Sequence, residues 1–146
     1  MRGPQTVLAF DFGLKRIGIA GGDTLTRRAA PRAAAAVHRG VPDWESIARE
    51  VRALAPAVLV VGAPYNLDGS EGTLLADVRR FAAELERRFA LPVQLVDERF
   101  SSLEAHQALK ARRASGRRGR IERAAIDSAA AAVILGRWFQ GEGQGT

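Results

Sequence analysis

The chain has 146 residues, no cysteine, and 22 lysines and arginines against 16 aspartates and glutamates, for a formal net charge of +6 at pH 7. The absence of cysteine excludes a disulfide framework, a thiolate zinc site and a cysteine nucleophile, which leaves hard oxygen ligands for any metal. One domain with a real core is expected from this length, and the basic balance favours a polyanionic partner such as nucleic acid.

The excess of arginine over lysine weakens the argument from charge for a nucleic-acid partner. Arginine, whose planar fork binds phosphate well, supplies nearly all the positive charge, but genomic base composition is an equal explanation for its excess over lysine. No apolar run has the length of a membrane span, and no secretory signal precedes the first strand. We therefore expect a cytoplasmic protein without membrane contact.

The first half of the chain predicts a hairpin, a third strand and a helix. Short β-rich runs at residues 6–11 and 17–20 flank a glycine-containing turn, and a further strand is predicted within residues 28–38. A proline followed by acidic residues begins a helix at Pro42, which ends near Pro56.

The second half predicts alternating strands and helices. Residues 58–62 form an apolar run without alternation, which is typical of a central strand covered on both faces. A surface helix over residues 74–89 and a strand over residues 93–96 come next. Two further helices are predicted over residues 103–112 and 123–139.

This order of elements predicts an α/β fold with a central mixed sheet of five strands, flanked by helices on both faces. One domain is expected over residues 1–140, followed by a flexible tail over residues 141–146. In such open sheets functional groups gather at the ends of central strands.

Three acidic residues occupy positions where this fold can bring them together. Asp11 and Glu98 each follow an apolar strand, and Asp127 lies in the alanine-rich last helix. A carboxylate cluster repels itself unless a cation neutralises it. Together with the basic surface, the cluster points to metal-assisted cleavage of nucleic acid. Taken singly, each acid is also explained by a turn, an ion pair or an ordinary polar position on a helix.

Four motifs around these acids resemble the YqgF, or RuvX, family, whose members are described as pre-16S rRNA nucleases or as similar to Holliday junction resolvases. The motifs are DFGLKRIGIA at residues 11–20, VGAP with DGS at residues 61–70, VDERFSS at residues 96–102 and IDSAA at residues 126–130. They follow the order of the family across nearly the whole chain.

The resemblance implies an RNase H-like fold with Asp11, Glu98 and Asp127 as catalytic acids and metal ligands. It implies Mg²⁺ or Mn²⁺ as the cofactor, with two ions in the site and Asp11 between them. Asp97, which alternates with Glu98 along the strand, is interpreted as structural. The resemblance further implies pre-16S rRNA or branched DNA as the substrate, and we expect a monomer or a homodimer.

Basic residues near the acids are candidate phosphate contacts. Lys15 and Arg16 follow Asp11 in the hairpin turn, where the alternative is an exposed tip with solvated charges. A second group consists of arginines that follow Glu98, precede the last helix or begin it. The alternative for this group is a basic loop that makes no specific contact. These arginines are Arg99, Arg112, Arg113, Arg117, Arg118, Arg120 and Arg123.

Two other classes of protein compete with the nuclease interpretation. The Asp-Phe-Gly start of the first motif also resembles the phosphate loop of actin-like sugar kinases, but those enzymes need two such domains. A catalytically silent nucleic-acid-binding module is the second alternative, against which the retention of all three acids argues. Trp44, Trp138 and Phe139 lie on apolar helix faces and are expected in the core rather than as base-stacking platforms.

Overall fold

The computed structural model describes residues 3–63, 74–97 and 120–141. In chain order the strands and helices alternate much as the sequence predicts. The elements are β1 (Thr6–Asp11), β2 (Arg16–Asp23), β3 (Ala29–His38), β4 (Val41–Pro42), α1 (Trp44–Leu54), β5 (Val58–Ala63), α2 (Leu75–Phe89), β6 (Val93–Asp97) and α3 (Arg120–Gln140).

These elements build one mixed sheet in the order β4-β3-β2-β1-β5-β6. The pairs β1–β2, β2–β3 and β3–β4 are antiparallel, whereas β5 pairs in parallel with both β1 and β6. The carboxyl ends of β1, β5 and β6 therefore meet at one edge of the sheet. The predicted mixed α/β architecture is confirmed.

The predicted number of five strands was wrong by one. The additional strand, β4, has two residues and pairs with the end of β3. It follows a turn in which both Arg39 (φ 52°) and Gly40 (φ 80°) adopt left-handed backbone conformations. A strand of two residues has no measurable alternation, so no pattern in the sequence marks it.

Helices cover both faces of the sheet, as expected. On one face, Leu8 and Phe10 of β1 pack with residues of α1 and α2 such as Ile47 and Phe81. On the other face, Val7 and Ala9 pack with residues of α3, among them Ile134, Leu135, Trp138 and Phe139. Because successive side chains of a strand alternate between faces, β1 supplies both cores. The core placement of Trp138 and Phe139 is thereby confirmed.

Local signals explain where the helices begin and end. Asp43 caps α1 by accepting hydrogen bonds from the Ser46 N–H at 3.3 Å and the Ser46 hydroxyl at 2.7 Å. Ala55 and Ala90 end α1 and α2 in left-handed conformations, with φ of 45° and 54°. The last helix begins at Arg120, one turn earlier than predicted. The predicted helix over residues 103–112 and nearly all of the predicted tail lie outside the described residues.

In the described parts of the chain, no helix has both the length and the apolar character needed to cross a bilayer.

Candidate functional site

Asp11 ends β1 on the face of the sheet that α3 covers. Along β1 the residues Val7 and Ala9 pack in the α3 core, whereas Leu8 and Phe10 pack in the opposite core. Asp11 continues the series of Val7 and Ala9, since side chains alternate with a period of two. Its strand lies in the middle of the sheet, between β2 and β5. The carboxylate is therefore placed at the carboxyl edge of the sheet on the α3 face.

Gly18 lies between Asp11 and the backbone of Asp127. In the antiparallel ladder Gly18 is the partner of Asp11. A Cβ at Gly18 would overlap the carbonyl group of Asp127 and would lie 2.9 Å from the Ser128 nitrogen, inside the 3.0 Å that Cβ contacts respect. The backbone of α3 thus rests directly on the strand next to Asp11. This contact brings together two of the three predicted acids.

Ser128 fixes the same turn of α3 to the sheet. Its side chain is buried, with 1% of the residue exposed, and its hydroxyl accepts a hydrogen bond of 3.3 Å from the Ile19 N–H. Residue 128 belongs to the fourth sequence motif, but its role was not recognised from the sequence. A serine followed by alanines at residues 129–132 is a weak signal, because only the fold shows which face of the helix meets the strand.

Arg16 forms an ion pair with Asp127. The Arg16 Nε lies 2.6 Å from Asp127 Oδ2, and the two side chains are 23% and 15% exposed. Arg16 is the first residue of β2, and Gly18, two residues on, is on the same face of that strand. The predicted phosphate contact and the predicted metal ligand are therefore direct neighbours.

Lys15 lies at the tip of the hairpin beside Asp11 and is exposed. The turn is tight at Gly13, where a Cβ would lie 2.5 Å from the Arg16 carbonyl oxygen. The Lys15 carbonyl accepts a hydrogen bond of 2.9 Å from the Val37 N–H, which ties the tip to β3. Lys15 is thus held at the edge of the site with its side chain in solvent, as a phosphate contact requires.

The remaining predicted site residues lie wholly or partly outside the described part of the chain. Glu98 directly follows β6 in the sequence and lies outside the described residues, as do Arg99, Arg112, Arg113, Arg117 and Arg118. Arg120 and Arg123 belong to the first turns of α3, on the backbone that leads to Asp127, but their side chains are not described. Asp97 is the last residue of β6 and is half-buried.

The donors that the structure places fit a hard divalent cation. Asp11 and Asp127 offer carboxylate oxygens on one face of the sheet, and Mg²⁺ and Mn²⁺ prefer oxygen ligands. Among the described residues, no three acidic or histidine side chains form a complete metal cluster. The two acids therefore remain candidate ligands, and the third predicted ligand, Glu98, lies outside the described residues.

One cavity among the described residues lies away from the candidate site and does not belong to it. It has a volume of about 520 Å³ and is lined by Phe12, Trp44, Phe81 and residues around them. These aromatic side chains pack on the α1 and α2 core, on the opposite face of the sheet from Asp11. Arg88 lies over the Trp44 ring at 4.3 Å, and Trp44 stacks on Phe81, so intramolecular contacts cover this ring.

Comparison with known proteins shows the family to which the chain belongs. The family model described as "RuvX: Holliday junction resolvase" matches residues 5–141. The chain belongs to the RuvX family. The resemblance of its four motifs is thereby confirmed, and the match covers both described acids and the segment that contains Glu98.

Curated relatives of this RuvX chain are similar over nearly their whole length. A protein of Edwardsiella ictaluri is 42% identical over 139 residues, which cover 95% of this chain and 97% of the relative. A protein of Xanthomonas campestris is 44% identical over 146 residues (100% and 94%), and one of Coxiella burnetii is 46% identical over 134 residues (91% of each). All three are named "Putative pre-16S rRNA nuclease".

Solved structures show that the fold is shared with RuvC. The chain matches Thermus thermophilus RuvC in complex with a Holliday junction substrate with a TM-score of 0.53 and 15% identity, covering 93% of this chain and 94% of RuvC. It matches a second structure of the same protein with a TM-score of 0.50, 14% identity and coverage of 94% and 95%. At this identity the likeness establishes the fold, and the predicted RNase H-like fold is confirmed.

Proposed function

We propose that this protein is a divalent-metal-dependent endonuclease that hydrolyses phosphodiester bonds of structured nucleic acid and processes the 5′ end of pre-16S rRNA. The observation that carries the proposal is the placement of Asp11 and Asp127 on the same face of the sheet, joined through Gly18. Two carboxylates brought together in a strongly basic RuvX chain fit a site for a cation and a polyanion.

In this proposal Asp11, Glu98 and Asp127 hold Mg²⁺ or Mn²⁺, with two ions in the complete site. When bound, such ions activate water for in-line attack and stabilise the leaving 3′ oxygen. The protein contributes the position and negative charge of its carboxylates. Asp11 is anchored by the β1–β2 ladder, and Asp127 is anchored by the contact of α3 with Gly18 and by the Ser128 hydrogen bond.

The placement of β6 supports Glu98 as the third ligand. β6 runs parallel to β5, which runs parallel to β1, so that the three carboxyl ends share an edge. Two strand spacings separate β1 from β6, which is about 10 Å between backbones. A glutamate that directly follows β6 has the reach to join a site centred between the two strands.

Positive charge around this edge would hold the substrate backbone. Lys15 stands at the tip of the hairpin, and Arg120 and Arg123 are on the turns of α3 that precede Asp127. From residue 120 to residue 127 the helix axis advances by about 10 Å, which corresponds to about three nucleotides along one strand of a duplex. The remaining members of the proposed phosphate-binding set are Arg16, Arg99, Arg112, Arg113, Arg117 and Arg118.

The choice of RNA follows from the relatives. Proteins that are 42–46% identical over most of the chain carry a name that refers to pre-16S rRNA. A cytoplasmic location belongs to the same proposal, since rRNA is the substrate. Resolution of four-way DNA junctions is the second candidate, because the description of the matching family model names that activity. A resolvase needs two active sites related by a two-fold axis, whereas trimming one RNA strand needs only one.

Single-turnover cleavage distinguishes these candidates. An end-labelled 16S rRNA precursor and a four-way DNA junction would each be incubated with the full chain and Mg²⁺ or Mn²⁺. The Asp11→Asn variant tests the site, and Asp77→Asn on α2, across the sheet, is the matched control. Cleavage of the RNA that requires Asp11 but not Asp77 supports the proposal. Symmetric cleavage of the junction alone would establish the resolvase, and cleavage of neither substrate would leave a nucleic-acid-binding module.

A further inference from the structure

The ion pair between Arg16 and Asp127 has a geometry that bears on metal binding. Arg16 Nε lies 2.6 Å from Asp127 Oδ2, which is the separation of a short charge-assisted hydrogen bond. The pair connects residues 111 positions apart in the sequence. Both side chains are largely withdrawn from solvent, so their interaction is less screened than that of a surface pair.

The backbones on both sides of this pair are fixed. Arg16 pairs with Ala36 in the β2–β3 ladder. The carbonyl of Lys15, the residue before it, accepts a hydrogen bond from the Val37 N–H. Asp127 is fixed because its helix lies against Gly18. Separation of the two charges therefore requires rotation of the side chains and no movement of the sheet. The pair can open without unfolding either element.

A carboxylate oxygen that accepts a hydrogen bond from a guanidinium has less negative charge to offer a second cation. The guanidinium also remains positive at every physiological pH and repels a divalent cation at close range. At separations of a few ångströms, one unit charge changes the affinity for a dication on the order of tenfold even in a water-like dielectric. Arg16 and a divalent cation are therefore competitors for Asp127.

We infer that Arg16 is a counter-charge of Asp127 in the metal-free protein and that it raises the cation concentration at which the site fills. This inference rests on the proposed function, because it takes Asp127 as a metal ligand. Arg16 acts through Asp127 and is a positioning residue. It stabilises the metal-free fold by neutralising the Asp127 carboxylate, which is 15% exposed. When the cation is abundant, the cation displaces Arg16 from this carboxylate.

The test is a titration of the full, metal-free chain with Mn²⁺, in which free Mn²⁺ is measured by electron paramagnetic resonance. Arg16→Gln and Arg16→Met remove the charge, and the methionine also keeps an apolar stem should the glutamine impair folding. Arg16→Lys keeps the charge. The matched control is Arg32→Gln. Arg32 is on β3, next to β2, and its Nε lies 2.7 Å from Glu50 Oε1 of α1, in the same kind of ion pair but outside the site.

We expect each neutral variant to bind Mn²⁺ on the order of tenfold more tightly than the wild type, with Arg16→Lys and Arg32→Gln close to the wild type. The melting temperature of the metal-free neutral variants should fall, and Mn²⁺ should raise it more than in the wild type. Equal or weaker Mn²⁺ binding by the neutral variants would overturn the inference, as would equal tightening by Arg32→Gln.

A failure of the proposed function has a different signature. If the wild type binds Mn²⁺ and Asp127→Asn binds it equally well, Asp127 is not a ligand and the proposed metal site is wrong. If Asp127→Asn abolishes binding while the Arg16 variants match the wild type, only the role of Arg16 is wrong.

Discussion

The carbonyl group of Asp127 occupies the space that the Cβ of any residue other than glycine would need at position 18. Gly18 is also the strand partner of Asp11. A single residue without a side chain therefore sets the distance between the two elements that carry the candidate acids. Packing at this point determines the geometry of the site as well as the stability of the fold.

Gly18→Ala should destabilise the protein by about 3 kcal/mol, because the new methyl group meets backbone atoms that cannot rotate away. It should also displace Asp127 and lower the rate of cleavage, even at temperatures where the variant is folded. Urea denaturation and single-turnover cleavage measure the two effects. Gly136→Ala is the matched control, since no described atom outside the local helix backbone lies within 4 Å of the added Cβ. Helix propensity predicts that this control is neutral or more stable.

Equal stability of Gly18→Ala and Gly136→Ala would mean that α3 is free to move away from β2. The direct contact between helix and strand would then have no energetic importance.

Asp11→Asn should lower the rate of cleavage without weakening RNA binding. The substitution keeps the shape of the side chain but removes one negative charge from the proposed metal site, while the basic surface is unchanged. Cleavage should fall by more than the roughly 10–100-fold that the loss of an outer-shell partner costs. Affinity for RNA, measured by fluorescence anisotropy without divalent metal, should stay the same or increase slightly. Cleavage at the wild-type rate would rule out Asp11 as a ligand.

Ser128→Ala should destabilise the protein by removing a hydrogen-bond acceptor, without any change of charge. Without the hydroxyl, the Ile19 N–H loses this acceptor at the contact between β2 and α3. Leaving a buried donor unsatisfied costs about 1–3 kcal/mol. Amide hydrogen exchange should accelerate at Ile19, while the more distant β5 amides should change only with the global stability. Unchanged protection at Ile19 would show that the hydroxyl does not hold this amide.

The sequence predicts well the elements that are defined by short-range patterns. The apolar run at residues 58–62 became the fully buried strand β5, and Asp43 begins α1 as the acidic start predicted. The β-rich run at residues 6–11 places Asp11 at the end of a strand in both the prediction and the structure. In these cases burial and capping depend on neighbours in the sequence, so that local reasoning is sufficient.

Contacts between distant residues were not accessible in this way. Arg16 and Asp127 are both present in the sequence motifs, but only the packing of α3 on β2 shows that they pair. Glycine is required at position 18 because of a tertiary contact, the packing of the Asp127 backbone on β2. Periodicity reports which face of an element is apolar and carries no information on which partner covers it. The position of Glu98 relative to the other two acids stays a prediction.

Asp43 provides a test of stability against pH that is independent of the site. The pKa of its carboxyl is lowered from the ordinary value of 3.8, first by the hydrogen bond from the Ser46 hydroxyl and then by the Ser46 backbone N–H. Because the folded pKa is lower than the unfolded one, the carboxylate stabilises the fold above the unfolded pKa, and this contribution disappears as the pH falls through the folded pKa. Asp43→Ala should cost about 1 kcal/mol at pH 7 and progressively less below about pH 4.

Asp43→Asn is the matched variant, because asparagine also caps helices but does not titrate in this range. Its stability at pH 7 should be close to that of the wild type, and its stability should fall less between about pH 4 and pH 2. Identical acid sensitivity of Asp43→Asn and the wild type would show that other carboxylates cause the loss.

The arginines just before α3 and at its first residue should control the salt dependence of RNA binding. Each phosphate contact releases condensed counterions, so loss of one contact lowers the slope of log affinity against log salt by about 0.7 for single strands and 0.9 for duplexes. Replacement of Arg117, Arg118 and Arg120 by Ala should therefore lower the slope by about 1 to 3 in total. The matched control replaces Arg49, Arg52 and Arg87, which are exposed on α1 and α2 across the sheet from Asp11 and carry the same total charge. Equal slopes for the two triple variants would mean that net charge alone attracts the RNA and that the segment before α3 makes no phosphate contacts.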